Sequence, residues 1–298
     1  MSVPDTKRAS DGVLIATAPV LFVLFWASGF PITKFGLQYI EPFTLLAIRS
    51  ALNVAVVLAI IPFVSIRWPR SWHSVGHIAV SGFLLQFAYL GAMFTALGGG
   101  VSQGVAALAA GMQPLLTAAF ACPFLGERIR LGQWAGFVLG FGGLACVMSE
   151  RTTITEATVV GITAAACTPI LITAGSLYQK RFCADMDLRS GMIIQHLTAG
   201  TASTVVAFSF ETREIEWGIE VSFVLAWLVL ILSVAAVNLY YMMLRRGQAA
   251  RVSSLFYLTP PTAAVFGYLT YGEMFGWFGL AGFAIAVIGV GLASRGGQ

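Results

Sequence analysis

Charge is what this sequence has least of. Only 10% of its 298 residues are Asp, Glu, Lys or Arg, against about 25% in an ordinary soluble domain, and the mean hydropathy is +0.84. A water-soluble enzyme or binding module is thereby excluded. Cysteine is also scarce: Cys122, Cys146, Cys167 and Cys183 lie far apart in or beside apolar stretches. They have neither the paired spacing of a zinc site nor the density of a disulfide framework, and they read as small membrane hydrophobes. No GxxxxGK[ST] loop and no HExxH pair occurs, so ATP drive within this chain and a zinc-protease helix are not expected. No aspartate falls inside a long apolar run, which leaves an aspartate pair at membrane depth without residues. A net charge of +4 and a pI near 9.0 raise the question of nucleic acid. The basic residues answer it by sitting between apolar runs; no nucleic-acid partner, metal or cofactor is expected.

What the chain does have is apolar length. Runs of 18 or more residues bounded by charge or turn residues cover 13–33, 43–64, 75–97, 101–125, 131–148, 158–178, 190–210, 221–244, 249–271 and 276–293. Lone strands cannot satisfy their backbone groups in hydrocarbon, and the runs lack the alternation of a barrel, so each is predicted to be a membrane-crossing helix. The first follows Lys7 and Arg8 but lacks a small-x-small cleavage site, and is kept as a span rather than a signal peptide. With the N-terminus in the cytoplasm, 13 of the 17 basic residues fall inside; Lys34, Arg151 and Arg213 fall outside, and Arg49 lies within a span. That asymmetry predicts a multi-pass protein with both termini cytoplasmic.

One ungapped offset aligns the chain with itself. At 146 residues, Pro114, Gly126, Glu127, Ala135, Gly136, Phe137 and Gly143 fall on Pro260, Gly272, Glu273, Ala281, Gly282, Phe283 and Gly289, and Gly29 and Lys34 on Gly175 and Lys180. The expected organisation is therefore a first five-helix repeat at 1–148, an outer linker at 149–157 and a second repeat at 158–298. Five is odd, so the second repeat enters the membrane from the opposite face. Inverted repeats are how a carrier obtains two alternately open states, by exchanging the conformations of its halves.

The residues also carry a resemblance. Phe25-Trp26-Ala27-Ser28-Gly29-Phe30-Pro31 is followed by Lys34, then Pro42 and Arg49, Ala96-Leu97, an alanine-rich fourth run with Pro114, Gly126-Glu127, and a glycine-rich fifth run. This resembles the drug/metabolite transporter superfamily, specifically its EamA-type repeat of five helices, over essentially the whole chain. Within that group it is most similar to bacterial amino-acid and metabolite exporters, the YddG branch. The resemblance implies an all-α integral membrane protein of ten helices in two inverted repeats, placed in the bacterial inner membrane and exporting small metabolites such as aromatic amino acids. Ile172 stands where Trp26 stands in the first repeat, so a cavity of unequal chemistry is expected.

Polar groups in hydrocarbon are costly unless turned to a cavity or a neighbouring helix. Gln86, Tyr89 and Met93 share one helical face of the third run, Asn238, Tyr241 and Arg245 one of the eighth, Trp26 and Thr33 one of the first, and Ser253 and Tyr257 are a turn apart in the ninth. Trp26, Thr33, Gln86, Tyr89, Met93, Asn238, Tyr241 and Tyr257 are the candidate substrate contacts. They suit a ligand with an apolar body and polar ends; singly, each equally fits a helix–helix hydrogen bond or an interfacial belt. Pro31, Pro114, Pro169, Pro260 and Pro261 are candidate hinges or gates, set against the general tolerance of membrane helices for proline. Gly132, Gly136 and Gly140, with Gly279, Gly282, Gly289 and Gly291, offer close-approach faces, within a monomer or in a homodimer. Arg49 lies on the order of 10 Å into its span. It is read as a structural charge in preference to a substrate carboxylate contact, and Glu127 and Glu273 as end-anchors.

The competing classes are an intramembrane enzyme and a receptor. The first lacks a catalytic constellation, since His196, the deep histidine, has no Gly-Ser elbow beside it; the second leaves the inverted repeat without a purpose. Among transporters, a proton-coupled antiporter is the alternative to a facilitative carrier. The lack of a carboxylate well inside any run favours the facilitative one.

Overall fold

The computed structural model describes residues 5–113, 115–117, 120, 131–149, 156–245 and 255–295. Among these, ten helical segments follow one another: α1 (Asp5–Gly36), α2 (Pro42–Ile60), α3 (Trp72–Gly98), α4 (Gln103–Gly111), α5 (Leu131–Ser149), α6 (Glu156–Phe182), α7 (Leu188–Phe210), α8 (219–245), α9 (Thr259–Tyr271) and α10 (Trp277–Arg295). Five stretches, Thr17–Gly36, Pro42–Phe63, Trp72–Gly98, Val159–Phe182 and Ile219–Tyr240, are long and apolar enough to cross a bilayer, and Trp134–Val147 and Trp277–Gly289 are shorter apolar helices. Large apolar side chains such as Val138, Leu269 and Phe208 stand exposed on the outside of the bundle, as lipid-facing positions must.

Local chemistry sets the helix ends. Pro42 occupies the first turn of α2, where a missing N–H costs nothing. The carboxylate of Glu211, just past α7, accepts from Phe43 N at 2.7 Å, Thr44 N at 2.8 Å and Thr44 Oγ1 at 2.7 Å. An acidic group thus satisfies the orphan donors at the positive end of α2. Asp187 and Ser102 cap α7 and α4 with their own side chains. Gly272 ends α9 with φ of 62°, the left-handed conformation that favours glycine.

The packing of these helices follows the repeat. Helix α5 packs along α10, α2 along α7 and α4 along α9, and each of these pairs a helix with its own counterpart. Two further sets of contacts come in exchanged couples: α3 packs on α6 as α8 does on α1, and α1 on α9 as α6 does on α4. A pseudo-two-fold relation therefore links these contacts, and each repeat lends its first helix to the other. Gly29 of α1 and Gly175 of α6 make this concrete. A Cβ at Gly29 would lie 2.6 Å from Leu232 Cδ2 of α8, and one at Gly175 would lie 2.7 Å from Leu85 Cδ2 of α3. Along α5 and α10 the backbones themselves touch: a Cβ on Gly143 would collide with Gly282 O and lie 2.6 Å from Ala286 N. The glycine face thus packs within the monomer.

Two segments depart from α-helical geometry. Phe83–Ala88 in α3 and Trp227–Ala236 in α8 are π-helical, and the 146-residue offset places the first on 229–234, inside the second. Nothing in the hydropathy of these runs signals the extra residue per turn. Consistent with i→i+5 spacing, Ser233 Oγ donates to Leu228 O at 3.1 Å.

Candidate functional site: a polar path between the repeats

Helices α1, α3, α6, α4 and α9 form a ring of successive contacts, with α8 against α1, α2 against α3 and α8, α7 against α3, and α5 and α10 against α4. The candidate substrate contacts fall on two parts of this ring. Gln86 is half-buried in the π segment of α3; Tyr89 follows it, half-buried against the core, and Met93 is buried one turn further. Trp26 lies on α1, half-buried against Phe22 and edge-on to Phe256 at 5.2 Å between ring centroids. Phe22, Tyr240 and Phe256 complete an aromatic cluster where α1 meets α8 and α9. Tyr257, next to Phe256, lines a small cavity with Leu108, Gly111, Pro260 and Val287. Thr33 is buried, and α1 packs against the later half of α3, so the two groups occupy adjoining walls.

The remaining candidates lie differently. Asn238 is exposed, and its amide donates to Val234 O of its own helix at 2.8 Å. Tyr241 is helical in α8, but its side chain, Pro114 and Glu127 lie outside the described residues. Pro31 and Pro169 are buried inside α1 and α6 without ending them. Near Pro31, Ser28 Oγ donates to Phe25 O at 2.7 Å and accepts from Trp227 Nε1 of α8 at 2.9 Å. Near Pro169, Thr173 Oγ1 donates to Pro169 O at 2.6 Å, and Gln113 Nε2 donates to Ser176 Oγ at 2.8 Å. Hydroxyls thus bond backbone carbonyls near both prolines. Pro260 and Pro261 sit in the first turn of α9, after a 3-10 turn at Phe256–Leu258. They delimit that helix, where the missing N–H is harmless.

Arg49 is buried among α2, α3, α7 and α8. Its Nη2 donates to Ser233 Oγ at 3.3 Å, and Asn53 Nδ2 caps the Arg49 carbonyl at 2.9 Å. Its repeat counterpart Gln195 donates to Ser81 Oγ of α3 at 2.8 Å and to Gln179 Oε1 of α6 at 3.0 Å. A polar residue on α2 thus reaches α8, and its equivalent on α7 reaches α3. The one ion pair among the described residues joins Lys34 of α1 to Glu273, two residues beyond α9. Sequence reasoning missed Gln103, whose side chain is fully buried at the start of α4, and the Ser28–Trp227 bond. The available signal was a polar residue three positions after the glycine run 98–100, and a tryptophan inside an apolar span.

A helical bundle built from two such repeats, packed on one another along their length, has the architecture of a membrane carrier. The chain belongs to the EamA-like transporter family, whose model matches residues 12–149 and again 159–295. It is 24% identical to "Uncharacterized transporter YvbV" of Bacillus subtilis, over 98% of this chain and 92% of that one. It is 28% identical to the "Probable terminal-alkyne amino-acid exporter" of Streptantibioticus cattleyicolor, over 93% and 92%. "Uncharacterized inner membrane transporter YedA" of Escherichia coli K12 is 24% identical over 90% and 88%. A solved crystal structure covering 94% of this chain and 96% of its own superposes with a TM-score of 0.64 at 21% identity, a likeness of fold.

Proposed function

We propose that this protein exports amino acids or chemically similar metabolites across the bacterial inner membrane by alternating access, running down the substrate's own gradient. The exchanged packing of the repeats carries this reading: two halves built alike and set in opposite directions can each adopt the other's conformation, opening the path first to one side and then to the other. The units that exchange are the repeats at 1–148 and 158–298, and the basic-residue count sets both termini in the cytoplasm. The name of the Streptantibioticus relative supports an amino acid as cargo. Aromatic surface at Trp26, Tyr89 and Tyr257, with polar groups at Gln86, Thr33, Asn238 and Tyr241 and the thioether of Met93, fits an amphipathic molecule of that size. Arg49 holds α2 to α8. The close contact of α5 with α10 leaves a monomer sufficient, with a homodimer as the alternative assembly.

Proteoliposomes loaded with an unlabelled aromatic amino acid should take up the labelled one by exchange, and preloaded vesicles should empty without any imposed proton, sodium or electrical gradient. Uphill accumulation driven by a pH step would replace this reading with a proton-coupled antiporter. Absence of flux for every amino acid tried would remove amino acids as the cargo.

A further inference from the structure

Resting on the carrier reading, we infer that Arg49 is the residue that selects substrates bearing a carboxylate, its unpartnered N–H groups taking that carboxylate as the path opens. Arg49 is only 8% exposed. Of its three nitrogens, Nη2 alone has a partner, Ser233 Oγ at 3.3 Å; Nε and Nη1 are buried with none. A guanidinium carries five N–H donors in a planar fork. Nη2 gives one of its two hydrogens to Ser233, so the edge it shares with Nη1 or with Nε is able to grip a carboxylate through two parallel bonds. Among the described residues no carboxylate of the chain itself does so, since the one ion pair joins Lys34 to Glu273.

The second repeat shows that helix clamping is not what the charge is for. Gln195 stands at the equivalent place on α7, and its amide nitrogen ties that helix to Ser81 of α3 and Gln179 of α6. A neutral amide is enough for that work, and a guanidinium costs far more to bury. The surroundings of Arg49 are also rich in groups that can donate. Along the α2–α7 seam, where Ser50 Cβ would lie 3.2 Å from a Cβ on Gly200, Ser50 Oγ, His196 Nδ1 and Ser203 Oγ are likewise buried without a partner, and the Arg49 charge acts on His196. Position links this cluster to the candidate substrate face. Ser233 lies in the π segment of α8, and Tyr89, which also feels the Arg49 charge, directly follows the π segment of α3. Such segments recur at functional sites. Tyr89 shares its face with Gln86 and Met93, so a ligand whose body lies along that face brings its carboxylate towards Arg49. The guanidinium is covered in this state, and the bond to Ser233, long at 3.3 Å, is the one that yields.

The test is equilibrium binding to the purified protein in detergent. Phenylalanine, leucine and threonine are each paired with the corresponding carboxamide, which keeps the side chain and the ammonium and removes the carboxylate charge. Each acid should bind roughly tenfold or more tightly than its amide, the scale of one charge-assisted hydrogen bond. R49Q gives α2 the amide that α7 already carries; it should weaken the acids by roughly tenfold and leave the amides within about threefold, so that the ratio falls towards one. R49K keeps the charge without the fork and should give an intermediate ratio. A purely structural Arg49 would weaken acids and amides alike, and that outcome overturns the inference, as does an unchanged ratio in either variant. A ratio near one in the unaltered protein, or failure of all three acids to bind it, overturns the inference without any variant. Flux reports on the carrier reading separately. Acid-selective, Arg49-dependent binding without exchange in proteoliposomes would refute the carrier and keep the site, whereas exchange of acids and amides at equal rates would keep the carrier and remove the site.

Discussion

Two adjacent glycines of α5 meet opposite surroundings, and an alanine at each gives a sharp test of the packing. At Gly143 the added Cβ collides with Gly282 O and lies 2.6 Å from Ala286 N and 2.9 Å from its Cα, where ordinary contact needs 3.4–4 Å. Helices α5 and α10 must part by about 1 Å, a gap that forfeits a quarter to a half of each contact's dispersion energy along the seam. Overpacking of this kind costs about 1–3 kcal/mol. At Gly142 a Cβ meets nothing within 4 Å, and the better helix propensity of alanine should leave stability unchanged or raise it by up to about 1 kcal/mol. The two neighbours should therefore differ by about 1–4 kcal/mol in opposite senses. Unfolding midpoints of G143A and G142A, followed by tryptophan fluorescence in one detergent, measure the difference directly. Equal midpoints would refute the close α5–α10 seam.

At the start of α2, E211A should destabilise by about 1–2 kcal/mol, because it leaves two first-turn N–H groups and the Thr44 hydroxyl without their acceptor. In a double-mutant cycle, T44V should cost less in the E211A background than alone; independent costs would show that the bond at 2.7 Å contributes nothing. Along the path, W26A and Q86A should lower exchange flux while the amount of monodisperse protein stays the same, and undiminished flux in both would move the substrate elsewhere.

Much of the fold was legible because burial in lipid is written into every residue of a span. The run at 190–210 lies inside α7 (Leu188–Phe210), and 221–244 inside the helical stretch 219–245. Within the ninth run, 249–271, the described residues begin at 255, and a 3-10 turn at Phe256–Leu258 precedes the regular α-helix that starts at Thr259 with two prolines in its first turn. Hydropathy does not register where a turn starts, only how apolar it is. For the same reason the π segments at Phe83–Ala88 and Trp227–Ala236 were invisible. The site was less legible than the fold. Periodicity puts Gln86, Tyr89 and Met93 on one face, but it cannot say whether that face meets the path or a neighbour. Asn238 illustrates the gap: its amide bonds its own helix. Glu273, expected as a surface anchor, stands at its helix end yet is shielded by a partner 239 residues away, a pairing no local pattern encodes.

The loan of α1 to α8 and α9, and of α6 to α3 and α4, also constrains how the protein is made. A ribosome releases the first five helices before α8 exists, so α1 must wait in the bilayer with its mating surface turned to lipid. Small residues on that surface, Gly29 and Gly36 among them, wait for Leu232 and Val224 to fill the space beside them. A nascent chain stalled at its midpoint is therefore an unfinished surface and not a finished half. Cellular quality control would see it as such until the second set of helices arrives, and two halves translated separately should mature only when made in the same cell.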